Sequence, residues 1–307
     1  MSDSPAQSTA APTEGLLTVV IPALNEEDAL PGTLHELVPI CRDAGWQIIV
    51  VDDGSSDGTP DVTRRWPADV QLFRHKVSRG YGAAIKTGVS RATTRYVVTF
   101  DADGQHDPAD IPRLLAKAED AHADLVIGDR GGRASGWYRR LGKWLIRAVA
   151  RVLLTVPVND LNSGIKLFRA DLGRHYSSFL PPGMPFSDVL TLAFISDKRA
   201  VVEIPVSIRK RTGGISTVNT MTALDTVIEI LNIITLFNPM RIFLPLSLLA
   251  IVAGVLWGAP IVLLGRGVST GAMLAIVTGV ILFALGLLAE QLGAIRKGQS
   301  VGVPELE

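Results

Sequence analysis

The chain has 307 residues, and its 30 lysines and arginines balance 30 aspartates and glutamates. Such a balance gives no global field for a polyanion, which argues against a nucleic-acid-binding protein. The single cysteine, Cys41, excludes an internal disulfide and any metal site built from several cysteines. The mean hydropathy is +0.30 although 20% of the residues are charged, and the apolar excess lies towards the C-terminal end. A fully soluble protein is therefore not expected.

The first fifteen residues are rich in Ser, Ala, Pro and Thr and contain no lysine or arginine. They lack the basic region that begins a signal peptide. Their composition predicts a disordered tail over residues 1–15.

Four short apolar runs then alternate with helix-compatible stretches. The runs are residues 16–22, 47–51, 96–100 and 125–127, and the helix-compatible stretches are 26–43, 59–66, 81–92 and 109–121. Strands that are apolar throughout are buried on both faces, and the alternation of strands with helices is typical of a parallel sheet covered on both sides. The pattern predicts an α/β domain with a Rossmann-like, mostly parallel sheet.

Polar residues follow each predicted strand, at the edge where open α/β sheets bind their ligands. A glycine there permits a tight turn, and a carboxylate there can accept hydrogen bonds from a base or a ribose. The same residue types also cap helices, as Asp57 or Thr59 would, so these turns leave both interpretations open. The candidates for nucleotide contact are Pro22, Ala23, Leu24, Asn25 and Glu26 after the first strand, and Asp52, Asp53 and Gly54 after the second.

The third strand is followed by two carboxylates one residue apart, Asp101 and Asp103, with Ala102 between them. Hard oxygen ligands suit Mg²⁺ or Mn²⁺, and a diphosphate would complete the coordination. His106 is interpreted as a neighbour, because one imidazole beside carboxylates does not make a zinc site. Placed after an apolar strand and two other polar strand ends, the acidic pair predicts a site for a metal ion and a nucleotide.

Residues 219–240 carry apolar side chains at helical spacing, with Asp225, Glu229 and Asn232 between them. This spacing predicts an amphipathic helix at a membrane surface, and a core helix of the soluble domain is the alternative. Pro239 marks a break after it.

Two uncharged stretches of 23 residues, 242–264 and 267–289, follow that break. A helix of this length spans about 34 Å, more than a hydrocarbon core of roughly 30 Å. With the short connector between them they predict a transmembrane hairpin within residues 241–292, with helices at about 242–264 and 268–290. Arg241, Arg296 and Lys297 flank the chain-end side, against Arg266 in the turn. This charge difference predicts that both chain ends, including the tail 293–307, are cytoplasmic.

As an ordered set, these motifs resemble the family-2 inverting glycosyltransferases with a GT-A fold. Within them the sequence is similar to the polyprenyl-phosphate glycosyltransferases, the group of dolichyl-phosphate mannose synthase and the bactoprenol glucosyl transferases. The resemblance covers about residues 15–217 and implies a GT-A catalytic domain over residues 16–218. It implies that the nucleotide is contacted by Pro22, Asn25, Glu26 and Asp53, and that the metal ion and the diphosphate are held by Asp101, Asp103 and Gln105.

The resemblance also implies contacts to the phosphate of the acceptor. Arg130 matches the arginine of a Gly-x-Arg turn, and Arg139 resembles a second phosphate-binding arginine. Ser163 belongs to the Asp-x-x-Ser-Gly segment that begins at Asp160 and borders the acceptor site. Arg211 and Ser216 belong to a loop similar to Arg-x-x-Gly-x-Ser-Lys, in which Thr217 replaces the lysine and, in the preceding segment, Ile165 replaces the usual Phe.

The implied reaction is attack by a lipid phosphate on the anomeric carbon of a nucleotide sugar of the UDP-glucose or GDP-mannose type. Asp103, Arg211 and Asp160 are the predicted catalytic residues, and Asp188 is a second candidate should a base be used. The sequence lacks the Gln-x-x-Arg-Trp motif of processive synthases, which favours one sugar per acceptor. The expected cofactor is a divalent metal ion, Mg²⁺ or Mn²⁺.

The expected partners are the nucleotide sugar, a polyprenyl phosphate of the undecaprenyl, decaprenyl or dolichyl type, and the lipid bilayer. A homo-oligomer is left open. The expected location is the cell (inner) membrane, with a multi-pass anchor and a cytoplasmic catalytic domain. Two alternatives stay open: transfer to another lipid, such as a diacylglycerol or a ceramide, and a membrane protein that binds nucleotide sugars without catalysis.

Overall fold

The structure is a computed structural model, and it describes residues 15–131, 158–161, 163–178, 180, 183, 186–209 and 239–298. The predicted tail up to residue 14, the predicted amphipathic helix up to residue 238 and the predicted tail from residue 299 lie outside the described residues. The chain divides into two compact units. The first comprises Met1–Gly131, Asn159–Asp188 and Arg199–Ile215, and the second comprises Gly132–Val158, Val189–Lys198 and Ser216–Glu307.

A seven-stranded sheet forms the centre of the first unit, with the strand order β3-β2-β1-β4-β6-β5-β7. All neighbours are parallel except β6, which pairs antiparallel with β4 and β5. The predicted mostly parallel α/β class is confirmed, but β3, β6 and β7 were not predicted. The strands are β1 (Leu17–Ala23), β2 (Gln47–Asp52), β3 (Val70–Arg74), β4 (Tyr96–Thr99), β5 (Leu125–Asp129), β6 (Lys166–Arg169) and β7 (Val201–Pro205).

Six described helices connect the strands: four lie between β1 and β5 in the chain, and two lie between β6 and β7. The first begins at Leu30 and not near residue 26, because Asn25 adopts a φ of 56° and the backbone N–H groups of Asn25 and Glu26 bond to side chains after β2. The helices are α1 (Leu30–Ala44), α2 (Thr59–Thr63), α3 (Tyr81–Arg91), α4 (Asp110–Asp120), α5 (Ala170–Ser177) and α6 (Phe186–Ser196).

The core lies between the sheet and the helices α1 and α4. Val19, Val50 and Val98 on the strands are fully buried, as are Leu34 of α1 and Leu114 of α4. Each such side chain contributes about 1.5–3 kcal/mol on burial. The core therefore fixes the central strands rigidly, and with them the residues that follow their carboxyl ends.

The antiparallel strand β6 brings a further segment to that edge. Lys166 at the start of β6 pairs with Thr99 of β4 on one side and Ile127 of β5 on the other. Because β6 runs in the opposite direction, the residues before it lie beside the residues that follow β4 and β5. The segment before β6 thus meets the loops after β1, β2, β4 and β5 at one edge of the sheet.

The second unit contains two long apolar helices, α7 (Met240–Leu263) and α8 (Thr270–Gly298). Both are long and apolar enough to cross a membrane. Large apolar side chains on them are exposed, including Leu249 (67%), Leu256 (70%) and Leu292 (67%). A core helix of a soluble protein would bury such side chains, so these helices are candidate membrane spans, as predicted.

The two helices form a closely packed hairpin. Gly265 and Gly267 in the turn have φ angles of 69° and 84°, which a side chain would strain. A Cβ atom on Gly279 would lie 2.8 Å from the carbonyl oxygen of Ser247, and the hydroxyl of Ser247 donates to the carbonyl of Gly279 at 2.7 Å. Small residues therefore allow the backbones to approach, which is typical of helix pairs in membranes.

Candidate functional site

The loops after β1 and β2 are joined by hydrogen bonds from backbone to side chain. The backbone N–H of Asn25 donates to Ser55 Oγ at 2.9 Å, and the N–H of Ser56 donates to Asn25 Oδ1 at 2.9 Å. The N–H of Glu26 donates to Thr59 Oγ1 at 2.9 Å. Several predicted nucleotide contacts, among them Asn25 and Glu26, therefore lie on one rigid surface with the loop that follows β2.

The carboxylates of Asp52 and Asp53 point into the protein. Asp52 has no exposed surface; its Oδ2 lies 2.9 Å from Arg74 Nε, and its Oδ1 accepts the N–H of Ser55 at 2.9 Å. Both side chains hold neighbouring loops in place, and direct contact between these carboxylates and a nucleotide stays a prediction.

Asp53 is 3% exposed, and its carboxylate accepts hydrogen bonds from four donor groups in residues 75–80. His75 Nδ1 lies 2.6 Å from its carboxylate, Ser78 Oγ 2.8 Å, and the backbone nitrogens of Arg79 and Gly80 2.9 Å and 2.8 Å. Burial alone would raise the pKa of Asp53, but these donors outweigh it and hold the pKa below its ordinary value. The segment that leads into α3 is thus fastened to the end of β2.

Asp101, the first residue of the acidic pair, is held by two neighbours. Tyr81 Oη donates to its Oδ1 at 3.2 Å, and His106 Nε2 lies 3.3 Å from its Oδ2. Burial would raise the pKa of Asp101, but the contacts with His106 and Tyr81 and the charge of Arg130 lower it below its ordinary value. The side chain is 30% exposed, so an ionised carboxylate with a fixed orientation lies at the edge of the site.

Gly164 provides the space that this carboxylate occupies. A Cβ atom on Gly164 would lie 2.0 Å from Asp101 Oδ2. The glycine of the Ser-Gly segment before β6 is therefore in direct contact with the acidic pair after β4.

The acidic pair presents oxygen donors of the kind that bind a hard divalent metal ion. Asp101 and Asp103 are partly exposed, and the N–H of Gln105 donates to Asp103 Oδ1 at 3.1 Å, which sets the turn between them. Among the described residues no group of three or more His, Cys, Asp or Glu side chains could hold a metal ion. Two carboxylates and an amide oxygen fit a hard divalent ion that takes its remaining ligands from a substrate diphosphate and water.

Arg130, after β5, forms a bidentate ion pair with Asp160. Arg130 Nε lies 2.7 Å from Asp160 Oδ2 and its Nη2 lies 2.9 Å from Oδ1. The hydrogen bond with Asp160 raises the pKa of Arg130. The predicted phosphate-binding arginine and the predicted catalytic carboxylate are thus in direct contact.

Lys166 is a fully buried cation beside this pair. It is 1% exposed, and its Nζ donates to the carbonyl oxygens of Leu161 at 2.5 Å and Ser187 at 2.6 Å. Burial lowers its pKa to about 8, although the charges of Asp188 and Asp160 act in the opposite direction. Lys166 therefore ties the segment before β6 to the start of α6.

Some of the remaining predicted site residues are buried or lie in a strand, and others lie outside the described residues. Ser163 is buried, and its hydroxyl donates to the carbonyl of Ile165 at 3.3 Å, so its contact with the acceptor stays a prediction. Pro22 and Ala23 lie in β1, and Ala102 is buried, with its carbonyl accepting from Thr33 Oγ1 at 2.9 Å. The predicted acceptor residues that lie outside the described residues are Arg139, Arg211 and Ser216.

Comparison with protein-family models identifies the catalytic region. Residues 18–172 match the model of glycosyl transferase family 2. The chain belongs to this family. A second model, the GtrB C-terminal hairpin, matches residues 238–295 of the glycosyltransferase. The predicted family and the predicted enzyme class are confirmed.

Two named relatives resemble the glycosyltransferase over much of its length. It is 28% identical over 295 residues to the undecaprenyl-phosphate 4-deoxy-4-formamido-L-arabinose transferase of Proteus mirabilis, covering 91% of this chain and 89% of the relative. It is 34% identical over 226 residues to the polyprenol monophosphomannose synthase of Mycolicibacterium smegmatis, covering 68% of this chain and 83% of the relative. The predicted resemblance to polyprenyl-phosphate glycosyltransferases is confirmed.

A solved structure supports the fold. Glucosyl-3-phosphoglycerate synthase from Mycobacterium tuberculosis, in complex with Mn²⁺, UDP-glucose and phosphoglyceric acid, matches with a TM-score of 0.57. The match covers 71% of this chain and 79% of the synthase at 21% identity. The GT-A fold of the glycosyltransferase is confirmed.

Two residues of the site, Tyr81 and Lys166, were not predicted from the sequence, whereas His106 was interpreted as a neighbour of the acidic pair and lies beside Asp101. Tyr81 follows β3, a strand that was itself missed. The signal for Lys166 is a lysine within an apolar segment, Ile165 to Phe168, since a charged residue flanked by buried positions needs internal partners. His106 lies in the same turn as the acidic pair, and that proximity was the signal for its contact.

Proposed function

We propose that this glycosyltransferase moves one sugar from a nucleotide sugar to a polyprenyl phosphate, with inversion at the anomeric carbon. The products are a polyprenyl-phosphate monosaccharide and a nucleoside diphosphate, and the donor is of the UDP-glucose or GDP-mannose type. The observation that carries the proposal is the meeting of the acidic pair and the Arg130–Asp160 pair at one sheet edge, in a chain with two candidate membrane spans. The names of the two relatives support the same class of acceptor.

On the donor side, Asp101, Asp103 and Gln105 would hold a divalent ion, which would offset the charge of the departing diphosphate when bound. The Mn²⁺ in the M. tuberculosis synthase complex supports a divalent cofactor of this kind, Mg²⁺ or Mn²⁺. The loops after β1 and β2, with Asn25 and Glu26, would bind the nucleoside. Tyr81 and His106 keep the carboxylate of Asp101 in one orientation.

On the acceptor side, guanidinium groups would bind the lipid phosphate. Arg130 is the described member of this set, and Arg139 and Arg211 are its proposed companions. Arginine suits the role because its planar fork binds phosphate oxygens in a bidentate manner.

The chemistry of the acceptor reduces what the protein must supply. A phosphate monoester has a second pKa of about 6 and is mostly dianionic at neutral pH. Its oxygen is already a nucleophile, so the site contributes positioning and charge balance. Two anionic reactants must meet, and positive charge on both flanks of the anomeric carbon lowers their repulsion.

We also propose a location in the cell (inner) membrane, with the catalytic domain and both chain ends in the cytoplasm. The distribution of Arg241, Arg296 and Lys297 against Arg266 supports this orientation. A polyprenyl chain remains in the bilayer, so a membrane anchor keeps the enzyme near its acceptor.

The test is a transfer assay with the full-length protein in lipid vesicles. Radiolabelled nucleotide sugars would be supplied one at a time with Mg²⁺ or Mn²⁺ and with polyprenyl phosphate, diacylglycerol or ceramide as the acceptor. We expect one labelled nucleotide sugar to give a labelled polyprenyl-phosphate product, which disappears with a chelator. Labelling of diacylglycerol or ceramide alone would overturn the proposed acceptor.

A further inference from the structure

Asp160 accepts three hydrogen bonds from Arg130. Besides the two side-chain hydrogen bonds of 2.7 Å and 2.9 Å, the backbone N–H of Arg130 donates to Asp160 Oδ2 at 3.3 Å. The side chains are 35% and 17% exposed, so the pair lies at the edge of the site and is partly shielded from water. A bidentate pair of this kind fixes the plane of the guanidinium as well as its position.

The backbone of Asp160 is itself anchored to the sheet. Glu203 of β7 accepts the N–H of Asn159 at 2.7 Å and the N–H of Asp160 at 3.0 Å, and it accepts the side-chain amide of Asn159 at 3.1 Å. Glu203 is paired with Ile127 of β5, the strand that leads to Arg130. The two residues of the ion pair are thus held by neighbouring strands, Asp160 by β7 and Arg130 by β5.

These contacts make Asp160 a poor proton acceptor. Each carboxylate oxygen already accepts a hydrogen bond from Arg130, and protonation of Asp160 would abolish the ion pair. Burial would raise the pKa of Asp160, but the hydrogen bonds and charge of Arg130 outweigh burial and hold the pKa below its ordinary value. A general base works best when its pKa lies near the working pH.

We infer that Asp160 is a positioning residue, which holds the Arg130 guanidinium for the acceptor phosphate, and that it does not take a proton in the reaction. This inference rests on the proposed function. It deepens that function because it assigns Asp160 to the binding of the acceptor phosphate and not to proton transfer. The pair occupies two of the five N–H groups of the guanidinium.

The pH dependence of kcat/KM separates a positioning residue from a base. The other charged groups that act on the pair are Asp101, Asp188 and Lys166. If the acceptor ionises by itself, the acidic limb of kcat/KM for the acceptor follows the second pKa of the acceptor. If Asp160 is the base, the limb belongs to the enzyme.

The first experiment compares polyprenyl phosphate with the corresponding polyprenyl phosphonate, whose second pKa is higher, using the full-length wild-type protein in vesicles. We expect the acidic limb to move to higher pH with the phosphonate. A limb at the same pH for both acceptors would overturn the inference. This comparison needs no variant, so it holds even if a substitution prevents folding.

The second experiment uses Asp160→Asn, with Asp69→Asn as the matched control. Asp69 forms an equally bidentate pair with Arg42, at 2.8 Å and 2.7 Å, away from the site. We expect Asp160→Asn to raise the acceptor KM about tenfold or more, to lower kcat less than tenfold, and to keep both the acidic limb and the donor KM. Loss of a general base would lower kcat by about 100-fold to 10,000-fold, and such a loss with the acceptor KM unchanged would overturn the inference.

The third experiment combines Asp160→Asn with Arg130→Lys. If Asp160 acts through Arg130, the double variant is no worse than Arg130→Lys alone, because residues in contact are not additive. Additive losses would contradict the inference. A wild-type protein that glycosylates lipid hydroxyls would overturn the proposed function and this inference together. A wild-type phosphate transferase whose acidic limb vanishes in Asp160→Asn would overturn this inference alone.

Discussion

Gly164→Ala should impair catalysis strongly while changing the stability of the fold only slightly. The new Cβ atom would lie 2.0 Å from Asp101 Oδ2 and 2.8 Å from its Cγ, whereas real Cβ contacts do not fall below 3.0 Å. The carboxylate must therefore move by at least 1.0 Å. Because it is the tip of a side chain, the fold can accommodate the movement with the loss of the contact to His106, a cost of about 0.5–1.5 kcal/mol.

The catalytic cost of that movement is larger. A misplacement of about 1 Å in the groups that position the reactants lowers the rate by roughly 100-fold. We expect Gly164→Ala to lower kcat/KM for the donor by about this factor and to raise the metal concentration that gives half-maximal activity. The acceptor KM should stay close to that of the wild type, since Arg130 and Asp160 are not displaced.

The assay is the initial rate of transfer to polyprenyl phosphate as a function of Mg²⁺ or Mn²⁺ concentration. Gly32→Ala is the matched control, because nothing lies within 4 Å of a Cβ atom at that position in α1. Gly88→Ala is the control for a folding defect, since its Cβ would lie 2.3 Å from Val20 Cγ1 in the core. It should lower thermal stability without changing the metal requirement. A Gly164→Ala protein with wild-type turnover and wild-type metal dependence would refute the assignment of Asp101 to the metal site.

Three further substitutions test other parts of the molecule. Asp103→Ala should abolish metal-dependent transfer because it removes one of the two proposed carboxylate ligands, and full wild-type activity in excess chelator would contradict the metal role. Lys166→Met tests the charge of Lys166, whose pKa is about 8. In the wild type the acceptor KM should rise as the pH increases through about 8, because the Lys166 ammonium beside Asp160 then loses its charge. Lys166→Met should have a raised acceptor KM that does not rise further with pH, and a wild-type acceptor KM that is independent of pH would contradict the role of the charge. Gly279→Val should push α7 and α8 apart, because even its Cβ would meet the carbonyl of Ser247 at 2.8 Å; the thermal midpoint in detergent should fall by several degrees, and an unchanged midpoint would argue against close packing.

The sequence predicted the strands that are continuous apolar runs and missed those whose sequences mix polar and apolar residues. β1 and β2 are continuous apolar runs with buried patterns along almost their whole length. β3 and β7 lie at the two ends of the sheet and are largely half-exposed, so their sequences mix polar and apolar residues. β6 has only four residues, and Lys166 and Arg169 at its ends hide its strand character.

For the site, the motif positions could be predicted but not the contacts between them. Asp53 and Asp101 lie at strand ends as expected, yet the sequence could not show that the first faces inward to residues 75–80 while the second is partly exposed. The pairing of Arg130 with Asp160 joins residues thirty positions apart, through the antiparallel strand that was not predicted. Contacts of this kind depend on topology, which no local pattern contains.

The most direct test of the central claim follows the phosphorus atom of the acceptor. The wild-type protein, polyprenyl phosphate, the active nucleotide sugar and Mg²⁺ would be monitored by ³¹P nuclear magnetic resonance. We predict that the signal of the lipid phosphate monoester is replaced by that of a phosphodiester, with one nucleoside diphosphate released for each diester formed. A monoester signal that stays constant while nucleoside diphosphate accumulates would contradict transfer of the sugar to the lipid phosphate.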